Sequence, residues 1–301
     1  MGKVFYYIVY AFFYLVSLLP FKLLYVISDF FYILVYSIVG YRKKIVRKNI
    51  TTSFPEKSAK ECKGIEKGFY HFLCDYFLET IKLLSISKAT MLKHIEFRNV
   101  EKLEECFDNG QSCAAILGHY CNWEWLSAIG ISFARHKEAV MGLIYHPLYS
   151  KIFDRLFIRI RMSMGGVCVP KKDILRHLLT YRRENRMSLF GYISDQAPKW
   201  ENIHLWLNFM NHDTPVFTGG ERIMRKMKNA VFYVDMERPK RGHYICTFRL
   251  ITKEPENMGE FEVTKTFFNM LEDTINRDPR YYLWSHNRWK RTREEYQRIH
   301  Q

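Results

Sequence analysis

His119 and Glu124 are the residues in this chain whose types and spacing suit acid–base chemistry. They lie in Cys113-Ala-Ala-Ile-Leu-Gly-His119-Tyr-Cys-Asn122-Trp-Glu124-Trp-Leu. A short run of small and branched apolar residues reads as a buried strand, Gly118 breaks it, and a helical pattern begins almost at once. Asn122 is a candidate N-cap, which places Glu124 in a first helical turn, where the positive end of the helix favours a carboxylate. On one continuous helix, residues five apart lie about 140° apart, so the two side chains meet only if His119 sits on the strand-to-helix turn. There, Glu124 could accept from one imidazole nitrogen and leave the other free to take a proton from a hydroxyl. The carboxyl end of such a strand is also where open α/β sheets place ligands.

Spacing alone does not establish a site. With 11 histidines and 31 acidic residues in 301 positions, a His followed five later by Asp or Glu is expected about once by chance, and it occurs once. A helix-capping segment with a half-buried histidine is the competing reading, so the surrounding elements must decide.

The chain has length for one large α/β domain with a substantial core. Its 46 Lys plus Arg against 31 Asp plus Glu give a net charge of +15, which implies an anionic partner such as nucleic acid, a phospholipid surface, a phosphorylated substrate or an acidic protein. No helix-turn-helix, zinc or RNA-recognition signature accompanies the charge, so no nucleic acid is expected. Seven cysteines, at 62, 74, 106, 113, 121, 168 and 246, form no CxxC pair. Scattered thiols in odd number suit a reducing compartment, with neither structural disulfide nor metal expected.

Residues 1–40 read as an N-terminal membrane anchor. Val4 to Leu19 is an uncharged run of sixteen residues, Pro20 interrupts, and Phe21 to Val39 continues with only Lys22 and Asp29 charged. Sixteen helical residues span about 24 Å, short of a hydrocarbon core of about 30 Å, so the first run is a marginal crosser and the two together form the anchor. No small-residue cleavage site ends the run, which argues against a removable signal. A buried core helix is the alternative. The basic cluster Tyr41-Arg-Lys-Lys-Ile-Val-Arg-Lys48 marks the cytoplasmic side.

Residues 41–301 form the second unit. Ser58 is a candidate N-cap for a helix to about Leu84, with a packing stripe of Phe69, Tyr70, Phe72, Tyr76 and Phe77. Apolar runs at 113–117, 140–145, 166–169, 188–193, 231–236 and 244–251 read as strands with helical patterns between them. That alternation predicts an α/β fold with a mostly parallel central sheet flanked by helices. Arg155, Arg159 and Arg161 follow the second strand; guanidinium forks there could hold a phosphate or carboxylate, or simply face solvent on an amphipathic helix. Asp195 and Gln196 end a buried strand and could line a pocket, while Asp195 could equally cap the turn. Thr218-Gly219-Gly220 looks like a helix start with free amides, and residues 278–291 mix aromatics with bases.

In order, these segments resemble the lipid A biosynthesis late acyltransferases of the lysophospholipid acyltransferase superfamily, over nearly the whole chain. The matching pieces are the apolar N-terminus; Tyr41-Arg42, Asn49 and Phe54-Pro55-Glu56; Gly118-His119 with Asn122-Trp123-Glu124; Tyr145 and Pro147; Asp154-Arg155, Arg159, Arg161 and Gly165; Asp195-Gln196; Thr218-Gly219; and Trp284, His286 and Arg288-Trp289-Lys290. The resemblance implies an inner-membrane enzyme, its catalytic domain on the cytoplasmic side, that moves a fatty acyl chain from acyl carrier protein to a hydroxyl of a phosphorylated glycolipid precursor. His119 would be the catalytic base and Glu124 its acidic partner, with oxyanion stabilisation from backbone amides or an arginine such as Arg161. Asn122, Arg159, Arg161, Asp195 and Gln196 are the candidate substrate-binding residues. The expected co-substrate is acyl-acyl carrier protein, with no other cofactor, and membrane phospholipids are expected partners. The chain departs from the family pattern at Ala197-Pro198-Lys199-Trp200 and Leu207-Asn208-Phe209-Met210. An amino-acid lipid or other hydroxylated lipid as acceptor, and a thioesterase or lipid hydrolase in which water replaces it, therefore stay open.

Overall fold

The central apolar runs form strands because both faces of the sheet are covered there. A computed structural model describes residues 2–300. In chain order its elements are α1 (Gly2–Leu18), α2 (Phe21–Tyr32, continued by a π-helical stretch Ile33–Val39), α3 (Lys43–Ser53), α4 (Ala59–Lys82), α5 (Lys88–His94), β1 (Ile95–Arg98), α6 (Val100–Asp108) and β2 (Cys113–Leu117). A 3₁₀ helix (Trp123–Ile131), β3 (Val140–Tyr145), α7 (Lys151–Met162), β4 (Val167–Pro170), α8 (Ile174–Arg183), β5 (Ser188–Ile193), β6 (Leu205–Phe209) and β7 (His212–Val216) follow. The chain ends with α9 (Gly219–Met227), β8 (Ala230–Lys240), β9 (His243–Thr252), α10 (Glu262–Arg277) and α11 (Arg293–His300).

Seven strands form one sheet in the order β1-β9-β8-β2-β5-β3-β4, parallel throughout except for the β8–β9 hairpin. Every residue of β2 is buried, the signature of a parallel strand with helices on both sides. The register of β2 on β5 pairs Leu117 with Ile193. His119 and Asp195 are each two residues past that pair, so sheet pairing alone sets them side by side at the carboxyl edge.

The helix expected after Ser58 forms as α4, opened by a capping box in which Ser58 and Glu61 satisfy each other's backbone amides. β6 and β7 form a separate hairpin that the sequence reading passed over. Its two turn residues, Met210 and Asn211, both have positive φ (53° and 63°), the conformation of a two-residue hairpin turn that usually advertises itself with glycine.

The N-terminal helices lie along the body. On α2, Leu24 and Ser28 are buried, as is Tyr36 beyond it, and Ser28 donates to Asp75 of α4 at 2.6 Å. Arg241, in the β8–β9 turn, bridges Asp29 and Asp75 at 2.7 and 2.6 Å. The opposite face exposes Leu23, Val26, Phe30, Ile33, Ile38 and Val39, and α1 exposes Phe5, Ile8, Phe12 and Leu15. The stretch Phe21–Val39 is long and apolar enough to cross a membrane.

Gly118 connects β2 to the site. A Cβ placed there would stand 2.7 Å from Leu271 Cδ1 of α10, so the strand end and α10 meet too closely for a side chain. Gly118→Ala is expected to destabilise the protein by about 1–3 kcal/mol. Thermal unfolding of the purified chain should show that this penalty shrinks in a Leu271→Ala background; equal penalties in both backgrounds would contradict the contact.

Candidate active site

After β2 the backbone turns sharply, and a C-terminal segment holds the turn. Cys121 adopts φ 50°; its N–H donates to Tyr281 O at 3.0 Å, and Leu283 N–H donates to His119 O at 3.0 Å. Behind that segment, Asn49 of α3 donates to the carbonyls of Trp284 and His286, both at 2.8 Å, and Arg42 donates to Ser285 O at 3.0 Å. Phe54 packs edge-on against Trp284 with centroids 5.7 Å apart. Sequence pieces more than 200 positions apart thus assemble into one brace under the histidine.

His119 takes Asp195 as its partner. Its Nδ1 lies 2.7 Å from Asp195 Oδ1, and its backbone N–H donates to Asp195 Oδ2 at 3.1 Å. Burial alone would raise the Asp195 carboxyl; the His119 charge, the two hydrogen bonds and the Arg288 charge outweigh it and hold Asp195 below its ordinary value. When the imidazole is neutral, an ionised Asp195 holds its proton on Nδ1 and leaves Nε2 as the acceptor. The side-chain amide of Gln196 stands 3.3 Å from that Nε2. The Trp123 ring closes one side edge-on, centroid to centroid 4.9 Å, and 17% of the His119 side chain stays exposed.

Glu124 does not fill the expected place beside His119. It accepts two bonds from the Arg161 fork, at 2.6 and 2.8 Å, and a longer one from Tyr76 at 3.5 Å. The reason is electrostatic: a carboxylate with 3% of its side chain exposed needs a cation, and a bidentate guanidinium on α7 supplies one. Burial works against the Arg161 charge, but Glu124 outweighs it and raises the guanidinium further. The segment carrying Glu124 is a 3₁₀ helix, and Asn122 makes no capping bond to it. Instead Asn122 donates to Glu79 at 2.8 Å, inside a buried group in which Tyr25, Tyr244 and Arg238 also approach Glu79.

The expected site residues therefore sort by place. His119, Asp195 and Gln196 meet at the carboxyl edge of the sheet, Glu124 and Arg161 form an adjoining pair, Asn122 faces the Glu79 group, and Arg159 stacks over Tyr10 of α1 at 4.3 Å. Two contributors were not foreseen in these roles. Arg288 is 1% exposed; it donates to Pro215 O at 2.8 Å, and burial lowers it to about 10, so it stays cationic near Asp195. His286 Nε2 accepts from Ala197 N–H at 3.4 Å, fastening the loop that carries Asp195 and Gln196. Both stand among the aromatics and bases of residues 278–291; what the sequence lacked was a sign of what they touch.

Burial pushes His286 from 6.5 down to about 4. The folded chain then binds fewer protons there than the unfolded chain, so its stability contribution is whole above about 6.5 and is lost as pH falls toward 4. His286→Gln can still accept from Ala197 but cannot charge. Unfolding measured across this range should lose less stability in the variant, by up to about 3 kcal/mol; an identical acid-side slope would contradict the assignment.

The geometry is that of a carboxylate-oriented imidazole at the carboxyl edge of a parallel sheet, the edge at which such sheets bind ligands, with a bidentate Glu124–Arg161 pair beyond Trp123. A family model of bacterial lipid A biosynthesis acyltransferases matches residues 2–291. Among curated proteins no match is found. The family match covers nearly the whole chain, including the apolar N-terminus and every residue of the site, and this protein belongs to the bacterial lipid A biosynthesis acyltransferases.

Proposed function

We propose that the protein transfers a fatty acyl chain from acyl carrier protein to a hydroxyl of a lipid A precursor, with His119 as general base and Asp195 as the group that orients it. The observation that carries this reading is the 2.7 Å contact between His119 Nδ1 and Asp195 Oδ1. His119 Nε2 removes the hydroxyl proton as the oxygen attacks the thioester carbonyl. The tetrahedral intermediate collapses, the C–S bond breaks, and the imidazolium returns the proton to the departing thiolate. No acyl-enzyme is required. Arg161, fixed by Glu124 through Nε and Nη2, keeps Nη1 for the oxyanion. Gln196 holds Nε2 until the acceptor hydroxyl replaces it.

Substrate access follows from the N-terminal helices. Their exposed apolar faces suit burial in a bilayer surface, with the chain at the cytoplasmic side of the inner membrane and residues 1–40 as the anchor. The ties of Asp29 and Ser28 to the body favour a helix lying in the interface over one that crosses.

Acyl transfer from acyl-acyl carrier protein to a hydroxylated lipid A precursor, measured in mixed micelles, tests the mechanism. His119→Ala and Asp195→Asn are each expected to lower kcat by roughly 10²–10⁴-fold, with thermal unfolding close to wild type for Asp195→Asn. Wild-type rates in Asp195→Asn alongside loss of activity in Glu124→Gln would return the orienting role to Glu124 and refute this reading.

A further inference from the structure

Helix α7 carries arginines on two sides. Arg161 turns inward to Glu124, while Arg155 and Arg159, one helical turn apart, face α1 across a groove of about 460 Å³ lined also by Tyr6, Tyr10, Leu84 and Met162. The Arg155 guanidinium lies over the Tyr6 ring at 4.3 Å and Arg159 over Tyr10 at 4.3 Å. Among the described residues neither arginine makes an ion pair with a carboxylate, and both are exposed. A guanidinium seated over a ring still has N–H groups to offer a phosphate.

The outer face of α1 points to the source of that phosphate. Phe5, Ile8, Phe12 and Leu15 are exposed on the helix that forms one wall of the groove. Those four residues lie on the side of α1 turned away from Tyr6 and Tyr10, so a bilayer that takes up this face brings its headgroups to the groove at the helix's flank. We propose that the α1–α7 groove is a headgroup site for an anionic bilayer phospholipid, with Arg155 and Arg159 on the phosphate and the lipid tails beside α1. The site lies on the far side of α7 from Arg161, so it serves to seat the enzyme on its membrane and is separate from the reacting groups. This inference rests on the bilayer reading of α1 given above.

The test is partition of the full-length purified protein onto phosphatidylcholine vesicles with and without a minor fraction of phosphatidylglycerol. The wild type should bind the neutral vesicles through its apolar faces and gain affinity when phosphatidylglycerol is added. Arg155→Gln/Arg159→Gln should keep neutral binding and lose roughly tenfold or more of that gain, as expected for two bases at a lipid surface. An equal-charge control on α8, Arg182→Gln/Arg183→Gln, should keep the gain. A wild-type gain in the groove variant, or the same loss in both variants, overturns the proposal. Weaker capture of acyl carrier protein by the groove variant with its phosphatidylglycerol gain intact would also overturn it, assigning the groove to the carrier. Failure of the wild type to bind neutral vesicles would sink the bilayer reading of the apolar faces, and the contrast between the two variants on phosphatidylglycerol would still decide the groove.

Discussion

The hydrogen bond between His119 and Asp195 is the constraint on which the site depends. Two parallel strands paired in one register carry these residues the same distance beyond their last paired positions, and the buried carboxylate then has one ring nitrogen to meet. An imidazole on an unconstrained turn would sample both tautomers and several rotamers. Here the neutral ring's tautomer follows from the charge on Asp195, which is sustained by the two hydrogen bonds from His119 and by the buried Arg288. Catalysis by a general base needs this preorganisation more than it needs any particular pair spacing in sequence.

A brace of distant segments backs the turn that carries His119. The brace built from Arg42, Asn49 and Phe54 against Trp284, Ser285 and His286 supports the segment that bonds to the His119 turn. A second buried group, centred on Glu79, ties α4 to α2, to the residue before the 3₁₀ helix and to β8 and β9. Burial raises the Glu79 carboxyl, and Arg238 opposes that rise. These buried bonds fix how the N-terminal helices sit on the sheet.

The sheet was largely legible because its central strands β2, β5 and β8 are buried on both faces and read as apolar runs; three of the six expected strands have the predicted bounds. The hairpin β6–β7 was not, since its turn uses Met210 and Asn211 in a conformation that sequence patterns associate with glycine. At the site, the histidine was legible from the glycine break and the following helical pattern. The carboxylate in contact with it is not the expected Glu124, because local spacing favours a residue five away whereas strand order brings Asp195 from 76 residues away. Asp195 had been visible as a polar residue ending a buried strand; only the adjacency of β2 and β5 says which polar residue it faces. Glu124 kept its acidic character and found a cation instead, and Arg161 was recognised as an arginine of the site without its mate.

Nitrogen NMR of the protein with labelled histidine, reading the His119 tautomer directly at neutral pH, tests the central claim. The account predicts a proton on Nδ1 and a bare Nε2, and a change in that tautomer balance when Asp195 is replaced by Asn. A proton resident on Nε2 in the wild type, or a tautomer indifferent to Asp195, would contradict it.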